Sequence, residues 1–184
     1  MPVDTDTLRT SDEIARRSLA LYAPIAAAHG VPKGDLAEWL KEEKLWGELT
    51  PRELRFLTQA EPPEKERIWM IWFGEAEYTL LWSIGKIESL PLPKSKCDTD
   101  LIIGAIPLWQ STASFIHSAV LKEVEVRQEA ERIYDIRVDI GKELRRGVPP
   151  PDGYDKDVAF FRHYALNWVI GYCGQSWDEI TPDI

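Results

Sequence analysis

Phe160-Phe161-Arg162-His163-Tyr164-Ala165-Leu166-Asn167-Trp168-Val169-Ile170-Gly171 is the stretch that decides how this chain folds. With its flanks it reads as a helix over residues 154–172. Tyr154, Val158, Phe161, Ala165, Trp168 and Tyr172 recur at alternating steps of four and three and therefore share one face. That face must bury against something. Arg162, His163 and Asn167 stand beside it, three side chains with directional hydrogen-bonding capacity on a segment too apolar to face water.

Downstream, Gly171 and Gly174 can reverse the chain, and Trp177 is too large an apolar group to leave in water, so it is expected to dock on the body. Upstream, Gly147 and Pro149, Pro150 and Pro151 separate this helix from a helical pattern over 111–146, read as two pieces bent near Leu121. Val126, Ala130, Ile133, Arg137, Ile140 and Leu144 form the stripe of the second piece. Residues 64–87 give the most hydrophobic helix, with Ile68, Ile71, Trp72, Tyr78, Leu81 and Trp82 on much of its circumference and Trp69, Phe73 and Leu80 opposite. A helix apolar all round belongs at the centre of a fold.

The first helix opens on the capping box Thr10-Ser11-Asp12-Glu13, buries Ile14, Ser18, Leu21, Tyr22 and Ile25, and stops at His29-Gly30. Asp35 is expected to cap a short helix with Leu36, Trp39 and Leu40 inward, and Thr50-Pro51-Arg52-Glu53 opens another, docked by Leu54 and Leu57. Residues 98–106 are either a short helix or a strand. Sustained period-two alternation and Asn-Gly or Asp-Gly hairpin turns are missing throughout. The expected architecture is all-α, a single-domain irregular bundle of about six to eight helices around a central Trp-rich helix. Residues 11–184 form that domain, and residues 1–10 a flexible tail.

At 184 residues, a globule of this kind buries roughly 70% of its unfolded surface. Hydrophobic residues at 44% and eight tryptophans supply the core. A net charge of -9 argues against a nucleic-acid partner, because backbone-driven binders need clustered Lys and Arg. Glu75 and Glu77 interrupt the one apolar window of membrane length, so no membrane association is expected. Two widely separated cysteines, Cys97 and Cys173, suit reduced thiols and a cytoplasmic setting.

The three histidines, His29, His117 and His163, have no metal-ligand spacing, and Walker, GxGxxG and GxSxG patterns are missing. No metal or cofactor is therefore expected. Glu75 is the distinctive residue, since Ile71, Trp72, Tyr78 and Thr79 surround it on its helix. A carboxylate in that setting needs a partner, and an ion pair with Arg162, or second with Arg137, meets the need. Glu75, Arg162, His163 and Asn167 together are the candidate binding group. Two functions follow: a non-enzymatic binding or interaction protein taking a protein partner or a small molecule, and a small-molecule enzyme using that polar group. An open concavity reached by all four would favour the enzyme.

Five marks are Arg17-Ser18, Leu49-Thr50-Pro51-x-Glu53, Trp72-x-x-Glu75 with Leu80-Leu81-Trp82-x-x-Gly85, Arg162-x-x-Ala165-Leu166-Asn167-Trp168, and Trp177-Asp178. Spread along the chain, they resemble the bacterial domain of unknown function family 4272. The resemblance implies a mostly helical bacterial protein and brings no catalytic residue with it.

Overall fold

The computed structural model describes residues 7–184, and among these every regular element is a helix. In chain order they are α1 (Ser11–Ala28), α2 (Lys33–Glu42), α3 (Pro51–Thr58), α4 (Glu64–Ser83), α5 (Thr99–Ala105), α6 (Ala113–His117), α7 (Glu123–Arg145) and α8 (Lys156–Val169). Single 3-10 turns occupy Trp46–Glu48, Pro151–Gly153, Tyr172–Gly174 and Trp177–Glu179. Residues 98–106 are thus helical, with Asp98 capping α5 by accepting the Asp100 N–H at 3.0 Å.

α4 is the centre. It packs on α1 along one side and α8 along another, with α7 against the far side of α8 and α5 across its middle. Its apolar circumference explains this placement, because Met70, Phe73, Ala76, Tyr78, Leu80 and Leu81 are all buried against different neighbours. Phe161 of α8 stacks on Trp72 at 5.9 Å and meets Phe73 edge-on at 5.4 Å, which locks the two helices together. The last carbonyls of α4 are satisfied from outside the helix. Val120 N–H donates to Ile84 O at 3.1 Å and Lys122 N–H to Ser83 O at 2.9 Å. This hold on residues 118–122 is what separates α6 from α7.

Both capping boxes form, at Thr10/Glu13 and Thr50/Glu53. Several local expectations change, among them the burial of Ile68 and Leu144, which are exposed, and the end of α4, which comes at Ser83. α8 begins at Lys156 because the Asp155 carboxylate takes the Asp157 and Val158 N–H groups, leaving Tyr154 outside. α2 begins after Pro32, so Asp35 lies in its first turn, where the helix dipole favours an acid, and makes no cap. Leu54 points outward while Leu57 alone docks α3 beside Phe56.

Of the expected tail, residues 1–6 lie outside the described residues, and the chain is anchored from Leu8 onward. Leu8 packs on the core. Arg9 N–H donates to Val169 O at 2.9 Å, its Nε to Trp168 O at 3.1 Å, and its guanidinium lies 4.5 Å above the Trp168 ring. Gly171 makes this possible: at φ 74 it turns the end of α8, and a side chain there would collide with the Thr7 carbonyl.

Trp177 is buried, meeting Tyr164 at 5.2 Å, Trp168 at 5.5 Å and Phe73 at 5.7 Å, and Tyr164 Oη donates to its carbonyl oxygen. Replacing Trp177 by Ala removes a ring around which three helices close. Chemical denaturation should show a loss of about 3–5 kcal/mol, and an unchanged midpoint would mean that the C-terminal turn carries no core load.

Candidate functional site

Arg162 has no exposed surface and Glu75 is 3% exposed. They meet across the α4–α8 interface, where Arg162 Nε and Nη2 each donate to Glu75 Oε2 at 3.3 Å. Each group makes one further bond. Glu75 Oε1 accepts the Cys97 N–H at 2.6 Å, and Arg162 Nη1 donates to the Pro91 carbonyl. One buried ion pair therefore pins the connector between α4 and α5 at two points.

Glu75 also borders a cavity of about 400 Å³ between α1, α4 and α5. Tyr22, Ile25 and Ala26 form one wall, Ile71, Trp72 and Gly74 the second, and Cys97, Ile102 and Ile103 the third. Lys96 stands at the rim with its ammonium 4.4 Å above the Trp72 ring. The Cys97 thiol is pushed up to about 12, first by burial and then by the Glu75 charge, so at neutral pH it is a small apolar group and no nucleophile. A wider groove of about 570 Å³ runs along α7, but Gln128, Glu131, Arg132, Asp135 and Asp139 give it a charged lining with little apolar surface.

The other candidates point elsewhere. His163 and Asn167 lie on the side of α8 that faces α7 and residues 177–184. Arg137 Nη1 approaches His163 Nδ1 at 2.9 Å and donates to the Pro182 carbonyl, and its guanidinium covers Phe160 at 5.2 Å. Arg137 therefore does not meet Glu75. A guanidinium only donates, so Nδ1 accepts and the imidazole is neutral. Burial, and then the Arg137 charge, push His163 down to about 4. Asn167 Nδ2 donates to Thr181 O at 3.4 Å. The four-residue group thus splits into an ion pair whose Glu75 borders the cavity and a pair that faces α7 and the C-terminal segment, His163 through Arg137 and Asn167 directly.

A second buried polar centre escaped the sequence reading as a site. Arg17 Nη2 donates to Glu53 Oε2 at 2.6 Å and Nη1 to Glu48 O at 2.9 Å, with the guanidinium 5.4 Å from the Trp177 ring. Glu53 meanwhile accepts the Thr50 N–H at 2.9 Å, so one carboxylate both caps α3 and holds α1. Beside them Glu77 is wholly buried, accepting from Ser18 Oγ through one oxygen while the other has no partner among the described residues. Its signal was present, because any carboxylate in the apolar run of α4 needs the same explanation as Glu75. Arg17 follows Ile14 by three and so falls on the buried face of α1.

Burial pushes the Glu77 carboxyl up to about 8, against the opposing pulls of the Ser18 bond and the Arg17 charge. Its folded value thus lies above the ordinary 4.5, so its stabilising contribution is full below pH 4.5 and is lost as pH rises to about 8. His163 runs the other way, its folded value lying below 6.5, and costs stability as pH falls from 6.5 to about 4. Above pH 6.5 the His163 effect is complete, while that of Glu77 is still running. Glu77→Gln should therefore flatten the decline between pH 6.5 and 8 and exceed the parent at pH 8 by about 1–3 kcal/mol. Parallel pH–stability curves for the two proteins would show that Glu77 is ionised in the fold.

Among the described residues, no three His, Cys, Asp or Glu side chains are grouped to hold a metal ion, and no helix is long and apolar enough to cross a membrane. Comparison with curated proteins returned no match. Comparison with solved structures likewise returned none. The model of one family, described as a domain of unknown function, matches residues 2–180. With Arg17, Glu53, Glu75, Arg162 and Trp177 all placed at the buried junctions of the helices, the chain belongs to the domain of unknown function family 4272.

Proposed function

We propose that this chain is a non-enzymatic, cytoplasmic binding protein of bacterial type, which holds a small, mainly apolar molecule between α1, α4 and α5. The observation that carries this reading is the cavity of about 400 Å³, within the range of roughly 300–1,000 Å³ usual for ligand sites, with three apolar walls and few polar groups. Gly74 supports it. A glycine in mid-helix costs about 1 kcal/mol relative to alanine, yet a Cβ at Gly74 would meet nothing within 4 Å. Packing does not require glycine there, and its absent side chain leaves the cavity wall open. The free thiols of Cys97 and Cys173 suit a reducing compartment.

The enzymatic alternative rests on Glu75 at the cavity edge. It is disfavoured because both carboxylate oxygens are already held, by Cys97 N–H and by Arg162, and because the neighbouring thiol stays protonated.

Gly74→Leu directs a side chain from the cavity wall into the cavity and leaves both ion-pair residues in the sequence. It should fold at least as stably as the parent and weaken uptake of an apolar fluorescent probe such as anilinonaphthalene sulfonate by tenfold or more. Equal uptake by both proteins would move the binding surface away from this cavity. Native mass spectrometry of the protein purified from its host, with the parent retaining a small molecule that Gly74→Leu lacks, would identify the ligand.

A further inference from the structure

The walls of the cavity between α1, α4 and α5 are apolar, and its few free polar groups are of one kind. Glu75 is the one acid that lines it, and Arg162 and the Cys97 N–H already hold both of its oxygens. The Gly74 carbonyl accepts from the Cys97 thiol at 3.7 Å. The exposed polar lining residues, His29, Lys96 and Thr99, can each donate a hydrogen bond. Lys96 has its ammonium 4.4 Å above the Trp72 ring but forms no ion pair among the described residues. In a chain of net charge -9, the mouth of this cavity thus offers an unanswered cation and no free acid.

A second unanswered group is buried. Tyr22 is 7% exposed and forms part of the α1 wall, yet its hydroxyl makes no hydrogen bond among the described residues. The hydroxyls of the other buried tyrosines, Tyr78 and Tyr164, donate to the Ser89 and Trp177 carbonyls. Burial pushes Tyr22 above its ordinary 10.0, so at neutral pH it keeps its proton and can donate as well as accept. A buried hydroxyl without a partner is costly, and the cavity is where a partner can reach this one.

Resting on the reading of this cavity as a ligand site, we infer that it takes a small aromatic carboxylic acid whose ring carries a hydrogen-bonding group, with the carboxylate at the mouth beside Lys96 and the ring group against the Tyr22 hydroxyl. A carboxylate supplies both the acceptors and the charge that the mouth lacks. At roughly 30 Å³ per water-sized group, a cavity of about 400 Å³ holds about a dozen non-hydrogen atoms, the size of a fused or substituted ring with a short acid arm. A ring also fixes the spacing of the two polar ends, which costs less ordering than a flexible chain. Tyr22 and Trp72 give it aromatic side chains to meet.

Titration calorimetry of the full chain with indoleacetate tests this, against indoleacetamide as an uncharged isostere and decanoate as a flexible acid of similar size. One indoleacetate should bind per chain, about threefold or more tighter than either. Lys96→Met keeps an apolar stem over Trp72 and should weaken indoleacetate roughly two- to fivefold, the scale of an exposed ion pair, without changing the amide. Tyr22→Phe removes a hydroxyl that bonds nothing among the described residues, so its melting curve should match the parent. It should weaken indoleacetate roughly three- to tenfold and leave decanoate unchanged. Equal binding of the amide would overturn the acid head, tighter binding of decanoate the aromatic body, and an indoleacetate affinity unchanged in Tyr22→Phe the inner contact. No binding of any of the three, with uptake of anilinonaphthalene sulfonate still weakened by Gly74→Leu, would overturn the ligand class and leave the apolar site standing. Loss of that dependence as well would remove the site itself.

Discussion

Arg162 is enclosed on all sides, and a guanidinium does not lose its proton, so its charge has to be answered inside the protein. The answer comes from Glu75 on the neighbouring helix and from the Pro91 carbonyl. Because each group is fixed by directional bonds, α4 and α8 have one register in which both charges are satisfied. A slip by one turn would strand two ions at several kcal/mol each. The aromatic layer of Trp72, Phe73 and Phe161 builds outward from this point, and the Cys97 N–H bond to Glu75 brings α5 close enough to wall the apolar cavity. The same pair that secures the core thus shapes the space beside it.

Other buried polar groups are handled differently. Glu77 and His163 sit where burial disfavours the charged form, against Ser18 and Arg17 at Glu77 and together with Arg137 at His163, and each is held neutral: the carboxyl by a raised value, the imidazole by a lowered one. Arg17 and Glu53 repeat the pairing solution between α1 and α3. The polar interior is therefore a set of local settlements rather than one connected network. The Glu75 settlement is the one that borders the apolar cavity between α1, α4 and α5.

Much of this was legible. The alternating stripe of α8, the all-round apolar surface of α4, the Thr10 and Thr50 capping boxes and the break near Leu121 all act over a few residues, where periodicity and turn chemistry are informative. The need of Glu75 for Arg162 followed from the same local logic. What stayed hidden was direction in three dimensions. His163 follows Arg162 by one position and Asn167 by five, so both turn away from Glu75 toward Arg137 and the C-terminal segment. Pro32 displaced Asp35 from the expected cap, and the juxtaposition of Trp39 with Trp109 joins residues seventy positions apart. No spacing rule reports such contacts.

The claim that one buried ion pair sets the α4–α8 register is tested most directly by a double-mutant cycle on Glu75 and Arg162, read by denaturant unfolding. Glu75→Gln alone strands a guanidinium and should destabilise the fold by roughly 3–5 kcal/mol, as should Arg162→Met. The double variant removes both charges and should recover a substantial part of the summed loss. Strictly additive losses would contradict the account, because they would mean that the two side chains do not depend on each other.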